Sequence, residues 1–555
     1  MTMDKNISNK KLWWLVVAVA VIWFSNIEYR ILIKPDEGRY AEIPREMVAS
    51  GDWTTPRLND LKYFEKPPLQ YWATAAAYTV FGEHQWTSRL WTALTGFAGI
   101  LLVWFAGLRL FGREAASYAA ILTGSSMLYV LMGHINTLDM GVTFFITLGI
   151  LGLALAQTST DAAARCNWML VAWAGLGLAV LSKGLMGLIL PGTALFIYCV
   201  VQRDFSVLKQ MHWLSGLAVF LLITAPWFYL VMKANPEFFQ KFFIYEHYLR
   251  FTTKVHDRYQ PWYYFIPILL AGALPWTVLM VDTLVRTWKG GARVPRVFSP
   301  ERFLLIWAVF IYFFFSISSS KLPSYLLPMF PVLALLMGKH LAGMNTRRLF
   351  WLIAPMLPLL LLGLGLAPFT ARLADTPLQL QGYSAYAGWL VAAALVWSLG
   401  MVATLVMLRR QNFVQEHKFA AVLVLAISTM LAAQLGTSGY NTIAKERSAY
   451  YIAEAIRPYV KAETALYSVA DYEQTLPFYL KRTLTLVAYQ DEMAFGILQE
   501  PQRWIADFPG LAKVWKEQAA ALAFMPASIY PQLMKLDLEM KIIYEDPQFI
   551  VVSRP

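Results

Sequence analysis

Long apolar runs separated by short polar segments dominate the chain. Scanned with a window of about 19 residues, the sequence places apolar spans at 12–24, 87–109, 114–132, 138–157, 167–182, 185–202, 213–232, 262–283, 302–319, 322–340, 349–367, 385–408 and 418–436. A helix needs about 20 apolar residues to cross a bilayer core, so the pattern predicts about thirteen transmembrane helices. Lysines precede the first run and no small-residue cleavage site follows it. We therefore expect an uncleaved signal anchor with its N-terminus in the cytoplasm.

The composition agrees with this pattern. The 555 residues are 58% hydrophobic and only 15% charged, with a mean hydropathy of +0.47, whereas a soluble domain has about 25% charged residues. A soluble enzyme is therefore excluded, as are disordered, collagen-like and coiled-coil chains. Aromatic residues make up 15%, including 21 Trp, which suits the interfacial belts of a membrane protein.

The net charge of +12 belongs to the first 436 residues, because the tail is slightly acidic. Basic residues concentrate in alternate loops, which the positive-inside rule places in the cytoplasm. An odd number of spans then leaves the tail outside. The concentration of basic residues in cytoplasmic loops, together with their attraction to lipid phosphates, accounts for the positive net charge. No nucleic-acid partner is therefore expected. Cys166 and Cys199 fall in a cytoplasmic loop and a helix, so no disulfide is expected.

Two outside loops break the rule by carrying many basic residues: the first periplasmic loop, 34–86, and the second, 233–261. Positive charge on the translocated side opposes insertion bias, and phosphate is its natural ligand. The alternative is that long loops translocate regardless of charge and these residues form a solvated surface.

The tail, 437–555, changes character. A helix-like stretch at 449–460 precedes strand-like runs at 466–469, 484–488, 521–524, 542–544 and 549–552, with a helix-like segment at 511–519 among them. This alternation predicts a small α/β domain. It has no glycine-rich phosphate loop or metal-ligand cluster, so we expect a lid or support module.

The first outside loop carries the candidate chemistry. It opens with PDEGRYAEIPREM at 35–47 and continues with YFEKPPLQYW at 63–72. Carboxylates, arginines and tyrosines beside residues that lie in the headgroup zone are typical of a site for a lipid-borne polar head. An amphipathic interfacial segment with internally paired charges is the alternative.

These two runs resemble the first periplasmic loop of the lipid A aminoarabinose transferases, polyprenyl-phosphate-sugar glycosyltransferases of the GT-C fold. The resemblance continues through TLD at 137–139, KG at 183–184, EHYLRF at 246–251 and SKLPSY at 320–325. It implies a membrane catalytic domain over 1–436, of about thirteen helices, and a periplasmic α/β domain over 437–555. It also implies an inverting transfer of 4-amino-4-deoxy-L-arabinose from undecaprenyl phosphate to lipid A phosphates, outside the inner membrane. Such a transfer confers resistance to polymyxin and other cationic antimicrobial peptides.

The resemblance also implies roles for individual residues. Asp36, with Glu37 beside it, takes the catalytic acidic position, as a base or as a group that orients the acceptor or the sugar amine. Asp139 takes the second acidic position, and the alternative is that Thr137 and Asp139 cap a helix. The donor-phosphate positions match Lys66, Arg250 and Tyr325. Substrate contacts are expected from five further residues of the motifs: Arg39, Tyr40, Tyr63, Lys183 and Lys321.

Glu65 and His247 are possible zinc ligands, but two scattered ligands are a weak metal signal, so no cofactor is required. The sequence predicts a monomer whose partners are the lipid-linked sugar donor, lipid A and membrane lipids. Two other functions stay open: another polyprenyl-phosphate transferase that moves mannose or glucose to a protein or glycan, and a flippase for a lipid-linked sugar. A flippase would concentrate ionisable groups at the bilayer midplane, whereas here they gather in outside loops.

Overall fold

The structure, a computed structural model, describes residues 9–249, 260–290, 297–410 and 415–554. Its α-helices, numbered in chain order, are α1 Asn9–Phe24, α2 Asp36–Ser50, α3 Leu69–Phe81, α4 Gln85–Leu110, α5 Arg113–Ser125, α6 Met127–Met132, α7 Leu138–Thr158, α8 Ala162–Lys183, α9 Met186–Gln202, α10 Ser206–Lys209, α11 Trp213–Ala234, α12 Phe265–Gly272, α13 Thr277–Gly290, α14 Pro300–Ile317, α15 Phe330–Ala342, α16 Thr346–Ile353, α17 Met356–Leu366, α18 Pro377–Arg410, α19 Gln415–Gly439, α20 Tyr450–Ile456, α21 Leu476–Leu480, α22 Ala494–Gln499, α23 Phe508–Glu517 and α24 Tyr530–Leu533. The strands are β1 Arg57–Leu58, β2 Leu61–Lys62, β3 Ala465–Val469, β4 Thr485–Val487, β5 Trp504–Ile505, β6 Ala521–Pro526, β7 Lys541–Glu545 and β8 Phe549–Ser553.

Apolar helices form most of the chain, as the hydropathy pattern predicts. Within the described ranges, nine helical segments are long and apolar enough to cross a membrane, or ten if the bent pair Trp262–Gly272 and Thr277–Gly290 is one span. The pair bends by 113° around Pro275, which cannot continue a helix. The predicted number of thirteen spans stays a prediction.

Some of the remaining predicted spans are helical but interrupted or short. The predicted span 114–132 is broken into α5 and α6 at Ser126, whose backbone is extended. The predicted span 185–202 corresponds to α9, which has 17 residues with Pro191 inside. Hydropathy alone cannot detect such breaks, because an apolar residue satisfies the pattern in either conformation.

The chain divides into two compact units. The membrane unit comprises Met1–Ile27, Arg89–Pro368 and Gly388–Ser438, and the sheet unit comprises Glu28–Ser88, Phe369–Ala387 and Gly439–Pro555. The first outside loop thus folds in the same unit as the tail. The predicted domain boundary at residue 436 marks where the last membrane span ends, not which segments pack together. It stays a prediction.

Helices α7 and α8 form an antiparallel hairpin in the membrane unit. A Cβ on Gly175 would lie 2.8 Å from the backbone nitrogen of Gly149, so only glycines permit this approach. Asp161 caps α8 by accepting a hydrogen bond of 2.7 Å from the Ala164 N–H. The short turn brings the first residues of α7 and the last residues of α8 to the same end of the hairpin.

The sheet unit is built on a six-stranded sheet in the order β5-β4-β3-β6-β8-β7. Strands β5, β4, β3 and β6 are parallel, and β8 and β7 continue antiparallel. The tail is therefore an α/β domain, as predicted, with β5 added. The two residues of β5 are too few to produce a strand pattern.

One face of this sheet packs against the first outside loop. Its core joins Leu466 and Phe524 of the sheet to Ala41 of α2 and Tyr78 of α3. Gly38 of α2 approaches the tail closely, since a Cβ there would lie 2.6 Å from the carbonyl carbon of Gln474. Contact with the tail therefore fixes the position of α2.

Candidate active site

Helix α2 begins at the predicted catalytic residue. Asp36 and Glu37 occupy its first turn, where the helix dipole stabilises negative charge. The helix ends at Gly51, whose N–H donates a hydrogen bond to the Met47 carbonyl oxygen. Gly51 has a φ of 73°, a left-handed conformation that favours glycine. Every residue from Glu37 to Met47 is buried.

The two neighbouring carboxylates have different surroundings. Glu37 is 1% exposed and accepts hydrogen bonds from both terminal nitrogens of Arg30, at 3.2 and 3.4 Å, and from the Ile33 N–H at 3.2 Å. Asp36 is 42% exposed and pairs with Arg39 at 3.0 Å. The geometry thus leaves Asp36 accessible to a substrate and ties Glu37 to the preceding chain. The predicted catalytic role of Glu37 stays a prediction.

Arg39 connects α2 to the tail. Its guanidinium pairs with Asp36 and also with Glu492, which in turn accepts a hydrogen bond of 2.7 Å from the Gln474 side chain. Glu492 is not among the site residues predicted from the sequence. Its only local signal is the acidic pair Asp491-Glu492, and the contact with Arg39 depends on the fold.

Buried aromatic hydroxyls surround Arg39. Its guanidinium carbon lies 5.8 Å from the ring centroid of Tyr63, and the rings of Tyr40 and Tyr71 are 6.2 Å apart. Burial is the main cause that raises the pKa of Tyr40 well above its ordinary value, and the negative charge of Asp36 adds to it. Burial also raises the pKa of Tyr63. Both phenols stay protonated at neutral pH and can donate hydrogen bonds.

Several buried polar atoms here have no hydrogen-bond partner among the described residues. They include Nε of Arg39 and the hydroxyls of Tyr63 and Tyr71. Buried polar atoms in folded proteins are almost always paired, and an exception calls for an explanation such as a bound group. A polar ligand would satisfy these donors.

Lys66 lies in the loop between β2 and α3. Its Nζ donates a 2.9 Å hydrogen bond to the Glu65 carbonyl and lies 4.0 Å from the Glu65 carboxylate. Both side chains are mostly buried. The predicted phosphate ligand Lys66 and the predicted metal ligand Glu65 are thus direct neighbours.

A second cluster of predicted site residues forms in the membrane unit. The α7–α8 hairpin brings Asp139 and Lys183 together as an ion pair. The Lys183 Nζ lies 5.1 Å from the ring centroid of Tyr325. Thr137 holds the N-cap position of α7 without a side-chain cap bond, and Asp139 lies in the first turn, so the alternative of a helix-capping role stays open.

Lys321 is also buried, and its amine contacts backbone. The amine donates to the carbonyl oxygens of Gln260 at 2.8 Å and Ser318 at 2.6 Å. These contacts fix the chain that leads to Tyr325. The predicted substrate contact of Lys321 stays a prediction.

Two predicted residues fall where the structure gives no description. Arg250 lies outside the described residues, and so does the side chain of His247. Within the described ranges no group of three or more His, Cys, Asp or Glu side chains is placed to hold a metal ion. The zinc ligation predicted for Glu65 and His247 stays a prediction.

Comparison with known proteins shows the family. The aminoarabinose transferase C-terminal domain model matches residues 452–554, and the dolichyl-phosphate-mannose-protein mannosyltransferase model matches residues 65–230. The undecaprenyl phosphate-alpha-4-amino-4-deoxy-L-arabinose arabinosyl transferase of Erwinia tasmaniensis is 32% identical over 70% of this chain and 73% of its own. The Serratia proteamaculans protein of that name is 31% identical over 69% and 71%.

Solved structures agree. The crystal structure of ArnT from Cupriavidus metallidurans bound to undecaprenyl phosphate matches with a TM-score of 0.92 and 37% identity over 99% of both chains. An oligosaccharyltransferase from Archaeoglobus fulgidus matches with a TM-score of 0.52 and 12% identity, covering 97% of this chain and 74% of its own, a likeness of fold alone. The predicted fold class is therefore confirmed as a helical membrane protein of the GT-C fold with a C-terminal α/β domain. The chain belongs to the undecaprenyl phosphate-aminoarabinose arabinosyl transferase family.

Proposed function

We propose that this chain transfers 4-amino-4-deoxy-L-arabinose from undecaprenyl phosphate to a phosphate of lipid A at the periplasmic face of the inner membrane, acting as a monomer. The family supports the donor, because relatives carry this sugar and this lipid in their names and one was solved with undecaprenyl phosphate. The added amine offsets lipid A negative charge, which would reduce the binding of polymyxin and similar cations.

The transfer exchanges one bond to the anomeric carbon of the sugar for another. An oxygen of the acceptor phosphate bonds to this carbon while the bond to the donor phosphate oxygen breaks. The electron pair leaves with undecaprenyl phosphate. Attack from the opposite side inverts the configuration.

The acceptor needs little activation. A phosphate monoester has a second pKa of about 6, so it is already largely ionised at neutral pH. A strong general base is therefore less necessary than for a hydroxyl acceptor. We assign to Asp36 the orientation of the acceptor or of the sugar amine, with Arg39 neutralising charge beside it.

The leaving group needs cations. Departing phosphate gains negative charge, which lysine and arginine stabilise best where water is excluded. Lys66, in its mostly buried loop, is suited to this role. The resemblance adds Arg250 and Tyr325, with Lys183 and Asp139 as a second charged pair.

One observation carries the proposal most directly. An exposed carboxylate, Asp36, lies beside a buried arginine and buried phenols whose polar atoms lack partners among the described residues. Such a set of fixed donors is suited to hold a polar sugar and the charge that moves across it.

A reconstituted assay tests the proposal. Purified protein, undecaprenyl-phosphate aminoarabinose and lipid A are combined, and the product is followed by mass spectrometry. We expect transfer by the native chain and by the control Asp60→Asn, which changes a carboxylate of the same unit that is 50% exposed. We expect none from Asp36→Asn. Failure of the native chain to transfer this sugar would refute the proposal.

A further inference from the structure

A large basic cavity opens in the membrane unit, where α13 and α15 end and α14 and α16 begin. Its volume is about 910 Å³, within the size range of ligand sites, roughly 300–1,000 Å³. Of the residues that the structure describes, four basic side chains line it: Arg286, Arg302, Lys339 and Arg348. None of them belongs to the sites described above.

The carboxylates around the cavity do not balance these cations. Asp282 accepts hydrogen bonds from Arg286 at 3.3 Å, His340 at 2.8 Å and Arg348 at 2.5 Å. Glu301 pairs with Lys339. Among the described residues, four cations thus face two carboxylates, which leaves positive charge in surplus.

Helix ends add to the positive potential. Ser299 and Asn345, the N-cap residues of α14 and α16, both line the cavity. The N-terminal ends of two helices thus meet there with their partial positive charge. Anions bind readily at such ends.

The cavity lies at the membrane surface opposite Lys183 and Tyr325. Helix α14 starts at the cavity and its other end leads into the 318–325 segment. Its 18 residues span about 27 Å at 1.5 Å per residue, close to the roughly 30 Å of a hydrocarbon core. The sequence predicts this surface to be cytoplasmic.

The rim of the cavity is apolar and exposed. Trp288, 76% exposed, and Val201, 44% exposed, both line it. Tryptophan prefers the headgroup level of a bilayer, and an apolar rim suits acyl chains. A free inorganic phosphate would use none of this surface.

We propose that this cavity binds the phosphodiester headgroup of an anionic glycerophospholipid from the leaflet opposite Lys183 and Tyr325. Arg286 and Arg348 contact the phosphate, and Trp288 lies against the lipid at the headgroup level. Basic pockets between membrane helices are known to take such headgroups. The bound lipid connects α13, α14, α15 and α16 and stabilises the membrane unit independently of sugar transfer.

Lipid-dependent stabilisation tests this site. Detergent-purified protein is titrated with short-chain phosphatidylglycerol, and its thermal unfolding midpoint is measured against phosphatidylcholine and inorganic phosphate. We expect the midpoint to rise with phosphatidylglycerol alone. Removing one charge near a lipid surface weakens binding about fivefold, so Arg286→Gln/Arg348→Gln should raise the half-maximal concentration about 25-fold.

Two further variants separate lost binding from misfolding. Arg113→Gln removes an exposed arginine outside this cavity and should respond as the native chain does. Arg286→Gln alone keeps the contact between Arg348 and Asp282 and should show the single-charge effect. An unchanged response of the double variant, or an equal response to inorganic phosphate, would overturn the proposal. If the native chain failed to transfer the sugar but was still stabilised by phosphatidylglycerol, the result would count against the proposed function only.

Discussion

The guanidinium of Arg39 pairs with the carboxylate of Glu492, which lies 453 positions further along the chain. The same guanidinium pairs with Asp36. The tail therefore holds the arginine that neighbours the candidate catalytic carboxylate. This contact gives the tail a direct part in positioning the site, beyond the lid or support expected from its sequence.

Glu492→Gln should lower kcat for transfer by roughly a hundredfold, because a displacement of about 1 Å in a catalytic group costs about that much. The KM for the donor should change little, since Lys66 is untouched. Steady-state kinetics with purified substrates measure both values.

Glu500→Gln is the matched control. Glu500 also connects the tail to the first loop, through an ion pair of 2.9 Å with Arg57, but this pair does not involve Asp36 or Arg39. Equal kinetics for the two variants would show that Glu492 only supports the fold.

Lys66→Ala should weaken binding of undecaprenyl phosphate by roughly tenfold to a hundredfold, because a charge-assisted hydrogen bond contributes about 1.5–3 kcal/mol. Binding can be measured in detergent by microscale thermophoresis. Lys62→Ala, four residues earlier in β2, is the control and should bind as the native chain does. An unchanged affinity for Lys66→Ala would remove this residue from the donor site.

Gly38→Ala should destabilise the sheet unit by about 1–3 kcal/mol, the usual cost of overpacking. The new Cβ would meet the Gln474 backbone, which cannot move aside as a flexible side chain could. The thermal unfolding midpoint should fall. Gly388→Ala, where nothing lies within 4 Å of the added Cβ, should leave the midpoint unchanged or raise it.

Glu473 predicts a specific pH dependence of stability. Burial raises the pKa of its carboxyl, although Lys34 and the hydrogen bonds of Thr475 oppose this. Its Oε2 accepts bonds from the Thr475 and Leu476 N–H groups, both at 3.0 Å, whereas Oε1 is buried and has no partner among the described residues. A glutamine can therefore keep the accepted bonds without an ionisable group.

The direction in which stability changes with pH follows from proton linkage. Because the pKa is higher in the folded state, the native protein loses stability as pH rises from the unfolded pKa to the folded pKa, by about 1.4 kcal/mol for each unit between them. Glu473→Gln removes this loss. It should unfold at a higher temperature than the native chain at pH 7.5 and at the same temperature near pH 4. A constant difference between the two proteins across this range would contradict the raised pKa.

The sequence predicted the features that depend on local pattern. Apolar runs identified the membrane helices, and alternation identified the longer strands of the tail. The resemblance singled out Asp36, Arg39, Tyr40 and Tyr63, which the structure brings together. It also singled out Asp139, Lys183 and Tyr325 in separate motifs, and the structure brings these three residues together in a second cluster.

Features that depend on contacts between distant segments were missed. The contact between Arg39 and Glu492 requires α2 to pack on the tail, and this packing depends on the missing side chain at Gly38. The burial that separates Glu37 from Asp36 also comes from the fold, because adjacent helical residues project in different directions. Neither has a signal in local composition.

The most direct test is mass spectrometry of lipid A from a polymyxin-sensitive strain that expresses this chain. We predict an added aminoarabinose mass on lipid A with the native chain and with Asp60→Asn, and none with Asp36→Asn at equal amounts of protein in the membrane. Unmodified lipid A in cells that contain the folded native chain and its donor would contradict the account, as would full modification by Asp36→Asn.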